Sequence, residues 1–463
     1  MKNKNMKNGN MKIFIVGTGA IGSSLAGELA KDGCEVTIID KEEDVINSLS
    51  NSIDAIGFQG NGASYNTLKE LNAASADILI ALTNSDEMNL LSCFTAHKLG
   101  TKHTIARIRD VDYAKQNHFY KNELGISMII NPDLATASEI FRTIRFPAAT
   151  RVELFAGGRA ELVELVVREE SPMVGLTLMD IGKDLGVNLL ICAIVRNGEA
   201  FVPKGDTVIN AKDVLYLTGS EADFKSSFKK LKHPIKPLTN VMIAGNDKIT
   251  YYLTDLLLAH GAKVTIVDDE MKNCFEIASA FPNAAVMREE ALKYIDEMSD
   301  SDMANTDAFI SITDDDEYNL IAAMYAESKG IKKVVTRVAS KSRTKVIHPD
   351  SNISVVSREG VAADRILGYT RAMLNVEDND AVESLYRLLD GRLEFIEFNV
   401  KATDKNIDKR LKEIRLKRNI LLAGIIRNNR MIIPHGEDML MEGDVALVAA
   451  VDHVIRELGD IYE

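Results

Sequence analysis

Features of membrane, secreted and metal-binding proteins are scarce in this chain. No run approaches the ~20 apolar residues that a membrane-spanning helix needs, and no signal peptide is visible. The eight histidines are scattered, and the four cysteines lack the spacing of a metal site or a redox pair. We therefore expect a cytoplasmic protein with reduced thiols and no bound metal. The cysteines are Cys34, Cys93, Cys192 and Cys274.

The charge balance argues against a further class of partner. The net charge is −13 and no long basic stripe is present, which disfavours nucleic acid and anionic membrane surfaces. With 463 residues, 46% hydrophobic and 27% charged, the composition is that of a soluble globular protein of about three or four domains. Residues 1–10, rich in Lys and Asn, are expected to be a disordered extension before a more natural start at Met11.

The most informative segment follows directly. A buried strand, Ile13–Val16, runs into a G-x-G-x-x-G turn and a helix, and the next strand ends at Asp40. This pattern is typical of a dinucleotide-binding unit, in which the turn and the helix N-terminus hold a pyrophosphate and the acid binds ribose hydroxyls. Because Asp40 would repel a 2′-phosphate, NAD is favoured over NADP. The predicted turn residues are Gly17, Thr18, Gly19, Ala20, Ile21 and Gly22.

This unit occurs twice in the chain. Gly245 follows Gly17 by 228 residues, and Asp307–Asn319 matches Asp77–Asn89 at an offset of 230. A repeat of this length predicts two copies of one structural unit. We predict an α/β protein with two Rossmann-like parallel-sheet domains, residues 11–130 and 239–357.

A different pattern follows each of these units. Short strands and turns predict small α+β domains in 148–231 and 377–463. They too are copies, since Arg196 and Asp213 reappear as Arg427 and Asp444, each 231 residues later. Two prolines mark 232–238 as a linker between the halves.

An amphipathic helix is predicted to join each large domain to its small one, within 131–147 and 358–376. In the first, Ala137, Ile140 and Ile144 fall on one face together with Phe141. Two arrangements stay open for these crossover helices. Each helix packs either on the sheet of its own domain or against the neighbouring module.

The domain order and several motifs resemble those of the two-repeat RCK (KTN) proteins, regulatory subunits of potassium-uptake systems. The resemblance implies RCK N-terminal and C-terminal domains, each present twice, and a nucleotide ligand that is NAD(H), or ATP or ADP in some members. It also implies a homo-oligomeric ring of four chains beneath a TrkH-like membrane subunit, on the inner face of the cell membrane. In some bacteria the small domains of related proteins bind cyclic di-AMP. The motifs are the glycine turn, Gly60-Asn61-Gly62-Ala63, Thr83-Asn84-Ser85-Asp86-Glu87-Met88-Asn89 and Ile105-Ala106-Arg107.

Residues after the third, fourth and fifth strands are further ligand candidates, because parallel sheets bind ligands at the carboxyl ends of their strands. Asn61 and Gly62 follow the third strand. After the fourth, Thr83 is expected to touch the ligand, while Asn84 either binds it or only caps the next helix, in a capping box with Glu87. Arg107, at the end of the fifth, meets a phosphate or forms a surface salt bridge.

The second repeat departs from this pattern. Asp247 and Thr250 stand where the first repeat has Gly19 and Gly22. A carboxylate at position 247 would repel a pyrophosphate, so we predict weak or no dinucleotide binding there and a role in assembly or with another ligand. Weaker site candidates in this repeat are Gly245, Asn246, Asp268, Thr313 and Arg337.

The leading functional hypothesis is a nucleotide-sensing regulatory subunit, not an enzyme, that gates a potassium transporter. An NAD-dependent oxidoreductase is the alternative, but it would need a proton donor near the nicotinamide. His435 lies in a turn beside Pro434 and is not a convincing donor. A scaffold whose nucleotide site no longer binds is a third interpretation.

Overall fold

The computed structural model describes residues 11–110, 113, 117–145, 149–155, 160–231, 238–339, 346–347, 351–376, 382–388, 392–428, 430–453, 455 and 457–463. The predicted extension, residues 1–10, and most of the predicted linker, 232–238, lie outside these ranges. The predicted domain limits remain a proposal.

The first half begins with a six-stranded parallel sheet. Apart from the exposed Lys12, the residues of β1 and β4 are apolar and buried, because helices cover both faces of the sheet. The strand order is β3-β2-β1-β4-β5-β6, which is the Rossmann arrangement. The elements are β1 (Lys12–Val16), α1 (Ala20–Lys31), β2 (Glu35–Asp40), α2 (Glu43–Ser50), β3 (Ala55–Gln59), α3 (Tyr65–Glu70), β4 (Ile78–Ala81), α4 (Asp86–Leu99), β5 (His103–Arg107), α5 (Asn117–Leu124) and β6 (Met128–Ile130).

A long helix and a small antiparallel domain complete the first half. The helix, α6 (Pro132–Arg145), begins at a proline, which suits a first helical position because the amide there needs no partner within the helix. The five-stranded sheet has the order β10-β9-β11-β8-β7. Its elements are β7 (Ala149–Phe155), β8 (Ala160–Val166), α7 (Leu178–Asp184), β9 (Leu190–Arg196), β10 (Glu199–Phe201), β11 (Val214–Gly219) and α8 (Glu221–Lys230).

The second half repeats this plan with the sheet orders β14-β13-β12-β15-β16-β17 and β18-β19-β22-β20-β21. Two Rossmann-like domains and two small α+β domains are thus present, as predicted. The elements are β12 (Asn240–Ala244), α9 (Lys248–Ala259), β13 (Lys263–Asp268), α10 (Met271–Ala280), β14 (Ala285–Arg288), α11 (Ala291–Glu297), α12 (Asp300–Asn305), β15 (Ala308–Ser311), α13 (Asp316–Ser328), β16 (Lys333–Arg337), β17 (Ile353–Val356), α14 (Arg358–Val376), β18 (Val382–Leu388), β19 (Leu393–Asn399), β20 (Ile420–Arg427), β21 (Arg430–Ile432) and β22 (Val445–Val451).

The crossover helices are exchanged between the halves. Ile140 and Ile144 of α6 lie in one core with Ile243 and Leu253 of the second Rossmann domain. Reciprocally, Ile366 of α14 belongs to the core of the first Rossmann domain. Of the two arrangements left open by the sequence, packing against the neighbouring module is the one observed.

The small domains also join. Leu162 and Cys192 of the first share a buried cluster with Phe395 and Leu447 of the second. The two halves therefore contact each other in two places, through the exchanged helices and through a shared core between the small domains.

The described residues include no helix that is both long and apolar enough to span a bilayer.

Candidate functional site

A cavity of about 480 Å³ opens at the carboxyl ends of β1, β2 and β4 in the first repeat. The strand order reverses between β1 and β4, and such sheets bind ligands at this point. Two predicted residues, Thr18 and Gly22, do not line the cavity. The other ten do: Gly17, Gly19, Ala20, Ile21, Asp40, Asn61, Gly62, Thr83, Asn84 and Arg107.

The three glycines of the turn have different physical roles. Gly17 has φ +93°, and a Cβ there would lie 2.8 Å from the Thr83 backbone nitrogen. A Cβ at Gly22 would lie 2.1 Å from the Gly17 carbonyl oxygen, so Gly22 serves close packing. At Gly19 a Cβ would meet no described atom within 4 Å, which leaves this position open toward the cavity.

The N-terminus of α1 is a candidate anion site. Gly19 is its N-cap residue and, within the described structure, no side chain caps the helix. The amides of the first helical turn have no partners within the helix, and the helix dipole adds partial positive charge there. Together these features favour a phosphate at this end of α1.

Asp40 is held by four hydrogen bonds. Its Oδ2 accepts from the backbone N and Oγ1 of Thr18, both at 2.7 Å, and its Oδ1 accepts from the amides of Lys41 and Glu42 at 2.7 and 3.2 Å. Burial acts to raise the pKa of this carboxyl, but the hydrogen bonds outweigh it and the pKa is lowered. Asp40 is therefore ionised at neutral pH. A ribose hydroxyl would replace the Thr18 hydroxyl, the one donor of the four that can rotate away.

The loop after β4 corrects one sequence expectation. Ser85, not Asn84, caps α4, since its Oγ accepts from the Met88 amide at 3.2 Å. Glu87 accepts from the Ser85 hydroxyl and forms no capping box with Asn84. Asn84 instead accepts from Nη2 of Arg107 at 3.2 Å. The neighbouring Ser85 was the better cap because it stands immediately before the first helical residue.

Thr83 lines the cavity, but its hydroxyl is already engaged. Oγ1 donates to Oδ1 of Asn89 at 2.8 Å, and the Asn89 amide group donates to the backbone oxygens of Thr83 and Arg107. Thr313 and Asn319 form the same pair of hydrogen bonds in the second repeat. Sequence reasoning missed this role of Asn89, although its recurrence 230 residues later was the available signal.

Arg107 brings a buried cation to the cavity. Its side chain is 9% exposed, and its buried Nε has no hydrogen-bond partner among the described residues. Burial lowers the pKa of the guanidinium, and the nearby positive charge of Arg109 lowers it further. A buried cation with unused hydrogen-bond donors lowers the free energy of unfolding unless an anion pairs with it. Its burial argues against a surface salt bridge, and contact with a phosphate stays a prediction.

Four charged residues of the cavity were not predicted. Lys41 and Arg109 come from the first repeat, whereas Arg358 and Glu359 come from the first turn of α14 in the second. Nε of Arg109 lies 2.8 Å from Oδ2 of the buried Asp133. A search confined to one repeat could not find Arg358 and Glu359, because the exchange of helices brings them to this site.

The second repeat contains its own anion. Oδ1 of Asp247 accepts from the amides of Ile249 and Thr250 at 2.6 and 3.2 Å, and thereby caps α9. Its Oδ2 lies 2.9 Å from Nη1 of Arg337, the counterpart of Arg107. One carboxylate thus caps the helix and pairs with the arginine in this repeat, whereas α1 has no side-chain cap and Arg107 no such partner in the described part of the first repeat. Burial raises the pKa of Asp247 and the Arg337 charge opposes this rise.

The remaining candidates of the second repeat are placed less favourably for a dinucleotide. A second cavity of about 500 Å³ is lined by Arg337 but not by Gly245, Asn246, Asp268 or Thr313. Its wall is mostly acidic, and a phosphate would meet repulsion there. The lining residues are Asp314, Asp315, Asp316, Glu317, Arg337, Ala339, Arg358 and Glu359.

Two domain families match most of the chain. The TrkA-N domain matches residues 13–132 and 241–358, and the TrkA-C domain matches residues 162–232 and 395–462. These ranges cover the two Rossmann-like domains and most of the two small domains, without their first strands β7 and β18.

Curated relatives match over almost their full length. The chain is 26% identical to Trk system potassium uptake protein TrkA homolog 2 of Methanosarcina mazei, over 98% of this chain and 100% of the relative. It is 27% identical to Trk system potassium uptake protein TrkA of Halomonas elongata, over 97% and 98%. These relatives are named for potassium uptake and not for an enzymatic reaction.

Solved structures share the fold. The crystal structure of the GsuK RCK domain has a TM-score of 0.60 and 18% identity, covering 96% of this chain and 93% of that one. A structure titled GsuK channel bound to NAD has the same TM-score and identity, covering 96% and 77%.

The family matches and the repeated fold agree with each other. They confirm both the resemblance found in the sequence and the expectation that this chain is not an enzyme. The chain belongs to the TrkA family of potassium-uptake proteins, built from two TrkA-N and two TrkA-C domains.

Proposed function

We propose that this protein is a nucleotide-sensing regulatory subunit that gates Trk-type potassium uptake. It acts in the cytosol, on the inner face of the cell membrane, through a TrkH-like subunit that carries the ions. Curated relatives that match almost the full chain are Trk system potassium uptake proteins, which supports this role.

One contrast between the repeats carries the proposal. In the second repeat, Asp247 caps α9 and pairs with Arg337. In the first, the matching position is Gly19, the helix has no side-chain cap among the described residues, and Nε of Arg107 has no partner there. The first repeat thus lacks an anion that the second supplies from its own chain. A bound phosphate group would satisfy these donors.

The residues present fit a nucleotide. The first turn of α1 and Arg107 would hold a phosphate, Asp40 would accept a ribose hydroxyl, and Asn61 and Gly62 form a close wall. A Cβ at Gly62 would lie 2.2 Å from Val16, so no larger residue fits in this wall. NAD(H) is the proposed ligand, supported by the ionised Asp40 and by an RCK neighbour titled as bound to NAD. ATP or ADP is the alternative.

Regulation follows from the position of the cavity between the two halves. Its wall includes Arg358 and Glu359 of α14, so a ligand contacts both repeats at once. A difference of about 1–3 kcal/mol in affinity between two arrangements of the halves would shift their populations several-fold or more. The nucleotide acts here as a ligand and not as a redox substrate.

Assembly is part of the proposal, and we place it on the outer layers of the Rossmann domains. Helix α4 packs on the sheet face opposite to the one covered by α14, and α13 is placed likewise relative to α6. Both outer helices expose an apolar residue at the same repeat position, Leu91 at 50% and Ile321 at 57%. Contacts between α4 of one copy and α13 of the next would build a closed ring, which we propose has four chains.

The oligomer is tested by sedimentation of the variants Leu91→Asp and Ile321→Asp. We expect each charge to lower the assembled mass. Ile56→Asp is the control, because Ile56 is 69% exposed but lies in β3, away from both helices. An unchanged mass for both helix variants would exclude this interface.

The nucleotide proposal is tested by calorimetric titration with NADH, followed by potassium uptake in cells that lack the gene. We expect saturable binding near one nucleotide per chain, no oxidation of NADH, and uptake that depends on the gene. Two nucleotides per chain would contradict the assignment of the second repeat. Substrate-dependent oxidation would favour the oxidoreductase, and no binding would favour ADP, ATP or a scaffold.

A further inference from the structure

The cavity of the first repeat is completed by a cation from the second. Arg358 is the first residue of α14 and lines the cavity next to Glu359. The body of α14 is fixed, because Ala362 and Ile366 are buried in the core that contains Ile13 of β1. Packing therefore holds the helix start, and with it Arg358, at the ligand edge of the first sheet.

Arg358 makes longer ion-pair contacts than Arg109 and Arg337 do. Its Nη1 lies 3.3 Å from Asp133 and 3.9 Å from Asp247, and its Nε lies 3.5 Å from Glu359. Charge-assisted hydrogen bonds are usually about 2.7–2.9 Å long. Both aspartates keep such short contacts for other arginines, Asp133 for Arg109 and Asp247 for Arg337, at 2.8 and 2.9 Å.

Three guanidinium groups converge on the cavity. Besides burial, the positive charges of Arg109 and Arg358 act to lower the pKa of Arg107, while Asp86 and Asp133 act to raise it; the net effect is a lowered pKa. This mutual repulsion would be relieved by an anion among the three groups. Arg109 is held by its short contact to Asp133, and Arg107 is only 9% exposed. The Arg358 side chain is 25% exposed and its contacts in the described structure are 3.3 Å or longer, which leaves it room to turn toward a ligand.

We propose that Arg358 binds the phosphate of the nucleotide in the first repeat, as a cation supplied across the two halves. This inference rests on the nucleotide site proposed above. On binding, the guanidinium exchanges its long contacts to Asp133 and Asp247 for the ligand phosphate. Since Asp247 belongs to the second Rossmann domain, the exchange alters an ion pair that ties α14 to that domain.

The test compares Arg358→Gln with Arg365→Gln by calorimetric titration with NADH and with ADP. Arg365 is an exposed arginine of the same helix outside the cavity, so its variant controls for the change in net charge. Hydrogen bonds to charged groups contribute about 1.5–3 kcal/mol, so Arg358→Gln should bind roughly ten- to a hundred-fold more weakly. Arg365→Gln should bind like the unaltered protein.

Thermal unfolding separates ligand binding from a structural role. Arg358→Gln loses contacts to Asp133 and Asp247, so its Tm without nucleotide is the baseline, and the rise in Tm above that baseline on adding ligand should be smaller than for the unaltered protein. Arg358→Lys should recover part of the affinity. If Arg358→Gln and the unaltered protein bound NADH or ADP with equal affinity, the role of Arg358 would be wrong but the nucleotide site itself would stand. If the unaltered protein bound neither NADH nor ADP, both this inference and the nucleotide site would be wrong.

Discussion

Asp247 and Arg337 form an ion pair of 2.9 Å in which both side chains are largely buried, 13% and 7% exposed. The same carboxylate caps α9 through the amides of Ile249 and Thr250. Its place in the second repeat corresponds to that of the phosphate proposed for the first. The second repeat therefore carries an internal carboxylate at the start of α9, and the first repeat has no carboxylate side chain at the matching position, Gly19.

Removal of this carboxylate should destabilise the protein. Asp247→Gly deletes a helix cap and leaves Arg337 buried without this partner, which should lower the free energy of unfolding by about 3 kcal/mol. Urea unfolding measures the loss. The control is Asp314→Ala, because Asp314 also contacts Arg337, at 3.2 Å, but is 91% exposed. Its loss should cost at most about 0.5 kcal/mol. Equal effects of the two variants would contradict the role of Asp247.

The converse substitution, Gly19→Asp, should convert the first repeat into a copy of the second. The new carboxylate would cap α1 and pair with Arg107, so NADH binding is lost while the melting temperature is kept or raised. Gly19→Ala adds only a Cβ, in a space free of described atoms within 4 Å, and should weaken binding less. Titration and thermal unfolding check both variants. A Gly19→Asp protein that unfolds would show that Gly19 is needed for the fold.

Lys333 gives a pH-dependent prediction. Its side chain is buried, its Nζ donates to Oγ of Ser354 at 3.0 Å, and burial followed by the charge of Arg168 lowers the pKa of its amine to about 8. Below pH 8 the amine is charged in the folded and unfolded states, and its burial is unfavourable. Between pH 8 and its ordinary pKa of 10.5 the folded state loses the proton first, so stability rises with pH.

We therefore expect Lys333→Met to raise the free energy of unfolding at pH 7 by up to about 3 kcal/mol, and by much less at pH 10.5. Urea unfolding at both pH values measures this difference. Lys332→Met changes an exposed neighbour and should have little effect at either pH. A gain from Lys333→Met that is the same at both pH values would contradict the lowered pKa.

In each small domain a bidentate ion pair connects the end of one strand to the loop before the next strand of the sheet. Nε and Nη2 of Arg196 donate to the two oxygens of Asp213 at 2.8 and 2.7 Å, and Arg427 and Asp444 repeat these distances. Asp213 is 1% exposed. Since Arg196 is partly solvated, Asp213→Ala should cost about 2–3 kcal/mol of folding free energy. Urea unfolding tests this, with the exposed Asp206→Ala as a control expected to change little.

Most of the fold and part of the site could be predicted from the sequence. Glycine spacing and strand periodicity are local patterns, so the turn at Gly17 and both Rossmann-like sheets were found. The positions of Arg358 and Glu359 depend on the packing of a distant helix, which local patterns do not encode. The cap at Ser85 was missed by one residue, because Asn84 and Ser85 are both good caps and only the backbone decides between them.

The exchange of α6 and α14 gives the chain the geometry of a two-fold homodimer whose protomers have been joined. In a homodimer, any substitution appears in both sites at once. In a single chain the two sites mutate separately. Gly19 can therefore stay open toward a ligand while its counterpart, Asp247, becomes a permanent internal charge. Joining the copies in one chain therefore permits the two halves to differ, with the proposed nucleotide site in one half and an internal ion pair in the matching place of the other.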